Sequence, residues 1–228
     1  MPIHSLLPKN KILNPMFQPD RYLLKRQIKK HAHYIKGVVL DAGSGDGERY
    51  KKLFKFDRYI TLDINPEHGA DIVGSVEDIP LGDNSVDSVV STQVLEHIKN
   101  PQKAAAEFYR VLKPGGYCIV TVPQWNELHS EPRDYWRFTK YGLEEIFRTA
   151  GFKIILIDQR GGFWSAGAQM RIRYAIDLFR LNKIRLLRWI FQPFIWLNGM
   201  LSILFDNIDR SRAGRKHAIG WLIIAQKP

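Results

Sequence analysis

Cysteine is nearly missing from this 228-residue chain: the one present, Cys118, lies inside the apolar run YCIVTV. Structural disulfides are therefore excluded, and a thiol in such a run packs as a small apolar group instead of serving as a nucleophile. Internal repeats and low-complexity tracts are absent, and no Ser-His-Asp order is evident. The opening residues, MPIHSLLPKN, lack a basic stretch followed by an apolar one, so no signal peptide is expected and a reducing cytoplasm is the default. The charge-free stretch from Trp189 to Phe205 has 17 residues, at the short edge of what crosses a bilayer.

Acidic residues are outnumbered, 23 against 34 Lys and Arg, for a net charge of +11. The excess sits at the flanks: residues 1–36 carry +7 and residues 171–216 carry +7, while residues 37–170 carry −4. Such flanks suit an anionic membrane surface, a nucleic acid or an anionic substrate; a solvated basic face is the plainer alternative. The length suits a single α/β domain, 1–228, that needs no staples.

Residues 1–35 read as a proline-rich lead-in followed by an amphipathic helix over 20–35. Apolar runs then alternate with helical patterns. Strands are expected at 37–42, 58–64, 70–75, 86–92, 116–123, 152–159 and 217–226. Helices are expected at 47–56, 101–112, where Pro101 opens the first turn, and 139–151, with Thr139 as N-cap and Gly151 as the stop. Near-continuous apolar strands between helices indicate a mostly parallel sheet covered on both faces.

The first strand runs into DAGSGDG. A dinucleotide fingerprint spaces its glycines G-x-G-x-x-G. Here Gly43, Gly45 and Gly47 read G-x-G-x-G. Asp41 stands just before them, where a carboxylate would repel a pyrophosphate and welcome an amino or sulfonium cation. Asp63 ends the next apolar run, and an acid there can accept from both hydroxyls of a ribose.

Four segments, VVLDAGSGDG, LDIN, VEDIPLGDNSVDSVVSTQVLEHI and EFYRVLKPGGYCIVTVP, follow in this order. Together they resemble the successive motifs of class I S-adenosylmethionine-dependent methyltransferases, most of all the group called type 11. The resemblance covers about residues 36–158 and the last strand. It implies an α/β, Rossmann-like three-layer sandwich with a seven-stranded, mostly parallel sheet and an antiparallel last strand. It implies S-adenosyl-L-methionine as cofactor, with Gly43, Ser44, Gly45 and Gly47 beside the methionine part and Asp41 facing its amino group. Asp63 would hold the ribose, Ile64 would pack on the adenine, Ser75 and Val76 would border it, and Gln93 would lie under the sulfonium. The family often has Asp where Ser75 stands, and a serine accepts from the adenine amino group more weakly.

The methyl acceptor is expected to be a small molecule or a lipid- or glycan-linked one. The rivals are a nucleic-acid methyltransferase, prompted by the basic flanks, and a cofactor-binding protein without turnover. TVPQ after the fifth strand lacks the Asn/Asp-Pro-Pro-aromatic tetrad used on exocyclic base nitrogens. A hydroxyl acceptor would profit from a general base. His97 in LEHI and His129 in ELHSEPRDYW are the candidates, with Glu131, Asp134 and Tyr135 nearby; a packed or capping His97 and an ordinary loop His129 are the plainer readings. His129, Glu131 and Asp134 lack the two-histidine spacing of a firm metal site, so no metal is expected.

Residues 160–216 are an insertion between the sixth and seventh strands, where the plain fold needs only a short hairpin. It reads as two helices, 170–192 and 193–209, parted at Pro193. Arg185, Arg188 and Gln192 share one face, and Trp189 and Trp196 suit a headgroup level. The expectation is peripheral contact with the inner face of a membrane through 184–205, lying in its plane; a helical cap on the sheet and a homodimer interface are the alternatives.

Overall fold

Seven apolar runs pair into one sheet in the computed structural model, which describes residues 16–45 and 49–228. The strands are β1 (Val38–Ala42), β2 (Arg58–Asp63), β3 (Ile72–Val73), β4 (Val86–Thr92), β5 (Leu112–Pro123), β6 (Lys153–Arg160) and β7 (Gly220–Gln226), in the order β3-β2-β1-β4-β5-β7-β6. Pairs from β3 through β5 are parallel, and β7 lies antiparallel between β5 and β6. The central strands are apolar at consecutive positions because both their faces are covered: Val39, Leu40, Val89, Ile119 and Val120 are fully buried.

One face is covered by α1 (Pro19–His31), whose Leu24 and Ile28 meet Val39, Val90, Ile119, Leu222 and Ile224. The other is covered by α2 (Pro101–Val111) and α3 (Lys140–Thr149) through Ala104, Phe108, Leu143 and Phe147. Their starts are set locally. The Asn100 side chain accepts from the Lys103 N–H at 3.0 Å and that of Thr139 from the Gly142 N–H at 3.1 Å, each satisfying a first-turn donor. Between β6 and β7 run α4 (Phe163–Leu178) and α5 (Arg185–Ile208), which close a smaller cluster of Met16, Ala168, Ile172, Ile176, Leu181 and Ile195.

Several local expectations change. The helix expected over 47–56 is, in its described part, only a 3-10 turn at Lys51–Leu53, because Tyr50 and Phe54 give it one turn's worth of buried anchors. The third strand shrinks to Ile72–Val73, an edge pairing with β2 alone. The first helix ends at His31 and continues as a 3-10 turn to Tyr34. In the insertion the chain breaks at 179–184, where Arg180 takes a positive φ of 49° and Leu181 is buried, and α5 runs on through Pro193. An interior proline forfeits one backbone bond and crowds the preceding turn, at a cost of about 3 kcal/mol, and α5 carries that cost without ending there. Arg188 leaves the expected basic face: it is buried against the body of the protein, while Arg185 and Gln192 stay exposed.

Gly199 marks where the N-terminal segment crosses α5. A Cβ there would meet Phe17 Cε1 at 2.4 Å. Gly199→Leu is expected to lift Phe17 off the helix and to lower stability by about 1–3 kcal/mol, read as a shift of the denaturant midpoint.

Candidate active site

The chain runs outward from β1 to β3 on one side and from β4 to β5 on the other, so the sheet has a switch point between β1 and β4. Ligands of such sheets bind outside the carboxyl ends of the strands at that point. A cavity of about 760 Å³ opens there. Its wall includes Gly43, Ser44 and Gly45 after β1, Asp63 and Ile64 after β2, Ser75 and Val76 after β3, and Gln93 and His97 after β4. Asp41 and His129 are not part of that wall, and Gly47 lies outside the described residues.

The turn after β1 needs its glycines. Gly43 has φ +84°, and a Cβ on it would strike Val94 Cγ2 at 2.4 Å. Gly45 has φ +66° with open space where a Cβ would stand, so the backbone itself can be approached. The Gly43 N–H donates to Leu62 O at 2.8 Å and the Gly45 N–H to Asp63 Oδ2 at 2.8 Å, which ties the turn to the end of β2.

Asp63 is 7% exposed, with its other oxygen accepting from the Asn65 N–H at 2.9 Å and lying 3.0 Å from His68 Nδ1. His68 lines the cavity and was not among the sequence candidates; its only signal is its place just before Gly69, whose φ of +69° ends a short 3-10 turn. Asp41 is buried and accepts from the Tyr59 hydroxyl at 2.8 Å. Strand alternation puts it with Val39 on the α1 side of the sheet. Ile64 is 60% exposed at the rim, and Ser75 accepts from the Glu77 N–H at 3.1 Å. Gln93 takes φ +57°. Its Nε2 donates to Thr121 Oγ1 at 3.3 Å, and its Oε1 accepts from Arg160 at 3.4 Å. Arg160, 1% exposed, is paired with Asp20 of α1 at 2.7 Å, so the first helix sets the orientation of a cavity side chain.

The cavity wall beyond β4 carries a second set of polar residues. His97 Nδ1 lies 2.6 Å from Arg133 O, which can only accept, so Nδ1 bears the proton and Nε2 keeps its lone pair. Burial lowers the His97 pKa below the ordinary histidine value, which favours the neutral ring. Glu96 beside it is fully buried, and burial pushes its carboxyl up to about 8. Among the described residues neither of its side-chain oxygens has a hydrogen-bond partner. The His129 ring stands edge-on to that of His97 with centroids 4.8 Å apart, and its Nδ1 lies 3.0 Å from Glu127 O. Asp134 accepts from the His129 N–H at 2.9 Å and from both Arg137 terminal nitrogens, and the Arg137 bonds hold its carboxyl down at about 2. Glu131 is exposed on the same loop. Lys99 and Arg133 line this end, both exposed, with Tyr135 and Ser130.

A profile of the type 11 methyltransferase domain matches residues 40–120. A Mycolicibacterium smegmatis protein named "Probable S-adenosylmethionine-dependent methyltransferase" is 34% identical over 181 residues, which are 67% of this chain and 67% of that one. The chain belongs to the class I S-adenosylmethionine-dependent methyltransferases of type 11. A malonyl-[acyl-carrier protein] O-methyltransferase of Yersinia pestis is 38% identical over 98 residues, 37% of this chain and 36% of the relative's length. Among solved structures, phosphoethanolamine N-methyltransferase 2 of Haemonchus contortus in complex with S-adenosyl-L-methionine superposes with a TM-score of 0.57 at 20% identity, covering 94% of this chain and 54% of that one. That likeness carries the fold. S-adenosylmethionine is the family's methyl donor, so the expected α/β sandwich, enzyme class and cofactor all stand.

Proposed function

We propose that this methyltransferase acts on an anionic acceptor, a small molecule or one linked to lipid or glycan, whose nucleophile lies at His97. The observation that carries this is the pairing of two exposed cations, Lys99 and Arg133, with the half-buried Nε2 lone pair of His97 at one end of the cavity. The residues at the other end fit the cofactor. Bare backbone at Gly43 and Gly45 leaves room for the methionine part, with Ser44 and, by the family pattern, Gly47. Asp63 is the acceptor for ribose hydroxyls, Ile64 offers an apolar face to the adenine, and Ser75 and Val76 border it. Gln93, aimed by Arg160 and Thr121, stands between the two ends. By the family pattern Asp41 faces the amino group of the cofactor, while one of its oxygens accepts from Tyr59 outside the cavity wall.

When bound, the cofactor supplies a methyl group activated on a sulfonium. The chain's own work is to hold the two reactants in line and exclude water. His97 activates the acceptor, and His129 supports it from outside the cavity. The test is labelled methyl transfer to anionic fractions of a lipid-and-glycan extract. Labelled product is expected, and His97→Ala should lower turnover by about 10²–10⁴-fold while cofactor affinity stays unchanged. Cofactor binding without any labelled product would leave the reading of a binding protein without turnover.

We also propose that the acceptor is met at a membrane surface. No described helix is long and apolar enough to cross a membrane. Yet α5 turns Trp189, Phe194, Trp196, Leu197, Leu201 and Ile208 outward, and a run of exposed large apolar side chains on one helix is the kind of surface that meets a partner or a membrane. Exposed Lys183, Arg185 and Arg210 flank it.

A further inference from the structure

Glu96 is a buried titratable group that the methyl-transfer reading does not use. A carboxylate fully removed from water, with neither oxygen hydrogen-bonded among the described residues, must either stay protonated or face a cation. The basic atom of its neighbour, His97 Nε2, lies 3.9 Å from Glu96 Oε1. We infer that Glu96, His97 and His129 form a binding site for one divalent transition-metal ion at the acceptor end of the cavity.

Three observations converge on this. One ligand atom from each of the three residues lies within 4.8 Å of the other two. Zinc bonds of 2.0–2.1 Å at tetrahedral angles put neighbouring donor atoms about 3.3 Å apart, so loading the site draws the donors together by at most about 1.5 Å. Next, both imidazoles are set for ligation. His97 Nδ1 donates to Arg133 O at 2.6 Å and His129 Nδ1 to Glu127 O at 3.0 Å, so each ring keeps its lone pair on Nε2. An outer N–H held by a carbonyl is the arrangement that orients ligating histidines. Finally, Asp134 stands behind both rings, its oxygens 4.0 Å from His97 Nδ1 and 3.4 Å from His129 Nδ1, and Arg137 fixes it at 2.7 Å.

Two imidazoles and one carboxylate select zinc, cobalt or ferrous ions over magnesium and calcium, which prefer oxygen alone. Three protein ligands leave a further coordination position open, and His97 places the site on the cavity wall. An acceptor hydroxyl bound there would lose its proton more readily, to solvent, as metal-bound water does. His97 would then activate the acceptor through the ion, not by taking the proton itself. This inference rests on the reading of that end as the acceptor site, so its test measures metal and cofactor separately.

Protein stripped with a chelator is titrated with cobalt(II), followed by its visible absorption, and with zinc by equilibrium dialysis. One equivalent is expected to bind. Glu96→Gln and His129→Ala should each weaken binding by about 100-fold or more, since each removes a ligand and not merely an outer partner. Zinc should raise the melting temperature of the unmodified protein and leave that of Glu96→Gln unmoved. S-adenosylmethionine affinity, by calorimetry, should be unchanged in both variants. No saturable metal binding, or binding that survives both substitutions, overturns the inference while leaving the methyltransferase reading intact. Failure to bind S-adenosylmethionine overturns the reading of the cavity whatever the metal does.

Discussion

Asp63→Ala is expected to weaken S-adenosylmethionine binding about 5- to 150-fold, or about 1–3 kcal/mol, because the ribose hydroxyls lose a charged acceptor. The carboxylate also receives the Gly45 N–H at 2.8 Å and the Asn65 N–H at 2.9 Å, so its removal loosens the glycine turn as well. Asp63→Asn separates the two effects: it keeps the shape and one carbonyl oxygen but gives up the charge. It should fall between the unmodified protein and the alanine variant. Calorimetry with a matched circular-dichroism spectrum makes the measurement. Unchanged affinity in a folded Asp63→Ala protein would show that the ribose is held elsewhere.

Mixed with anionic vesicles, the protein is expected to float with them, and Trp189→Glu combined with Phe194→Glu is expected to abolish recovery in the lipid fraction. Trp189 is 70% exposed and Phe194 67%, so the change alters the outer face of α5 and little of the core. The charge contribution is tested apart from this. Each Lys or Arg near an anionic surface is worth about 1 kcal/mol and is screened by salt. Lys183→Glu with Arg185→Glu, or high salt, should therefore weaken flotation. Arg188 is unsuited to this test, because it is buried and its loss would damage packing. Equal recovery in the unbound fraction with anionic and neutral vesicles would remove the membrane proposal. A concentration-dependent doubling of mass without flotation would assign the same face to a second copy.

The central strands were legible because a strand buried on both sides is apolar at nearly every position, and VVL at 38–40 and YCIVTV at 117–122, with only Thr121 polar, meet that demand without help from partners. Asn100 and Thr139 were legible as helix starts for a local reason too, since a cap bonds within its own first turn. Elements that depend on distant neighbours were read poorly. The stretch after the glycine turn looked helical by composition, but among its described residues Tyr50 and Phe54 are fully anchored and Leu53 and Phe56 only partly. Pro193 looked like a helix boundary, yet the break came at Arg180, where buried Leu181 turns the chain inward. The candidate site divides in the same way. Ordered motifs pointed to the glycine turn, Asp63 and Gln93, while His68 came to the cavity only through the fold.

By itself the sequence determined the raw material of the strands and the α/β class, because those rest on short apolar runs and turn residues whose physics is local; the cofactor was legible through the resemblance of its ordered motifs to a family. It also held the charge asymmetry between centre and flanks. Only the tertiary structure decided what Glu96 is: within LEHI nothing marks it out, and the packing around the end of β4 strips it of water and sets it beside two histidines that are 32 residues apart in the chain, at 97 and 129. Only the tertiary structure paired Arg160 with Asp20 and so linked the first helix to Gln93. And only it turned Arg188 inward while leaving Trp189 outside, because which stripe of a helix is buried depends on what the rest of the chain packs against it.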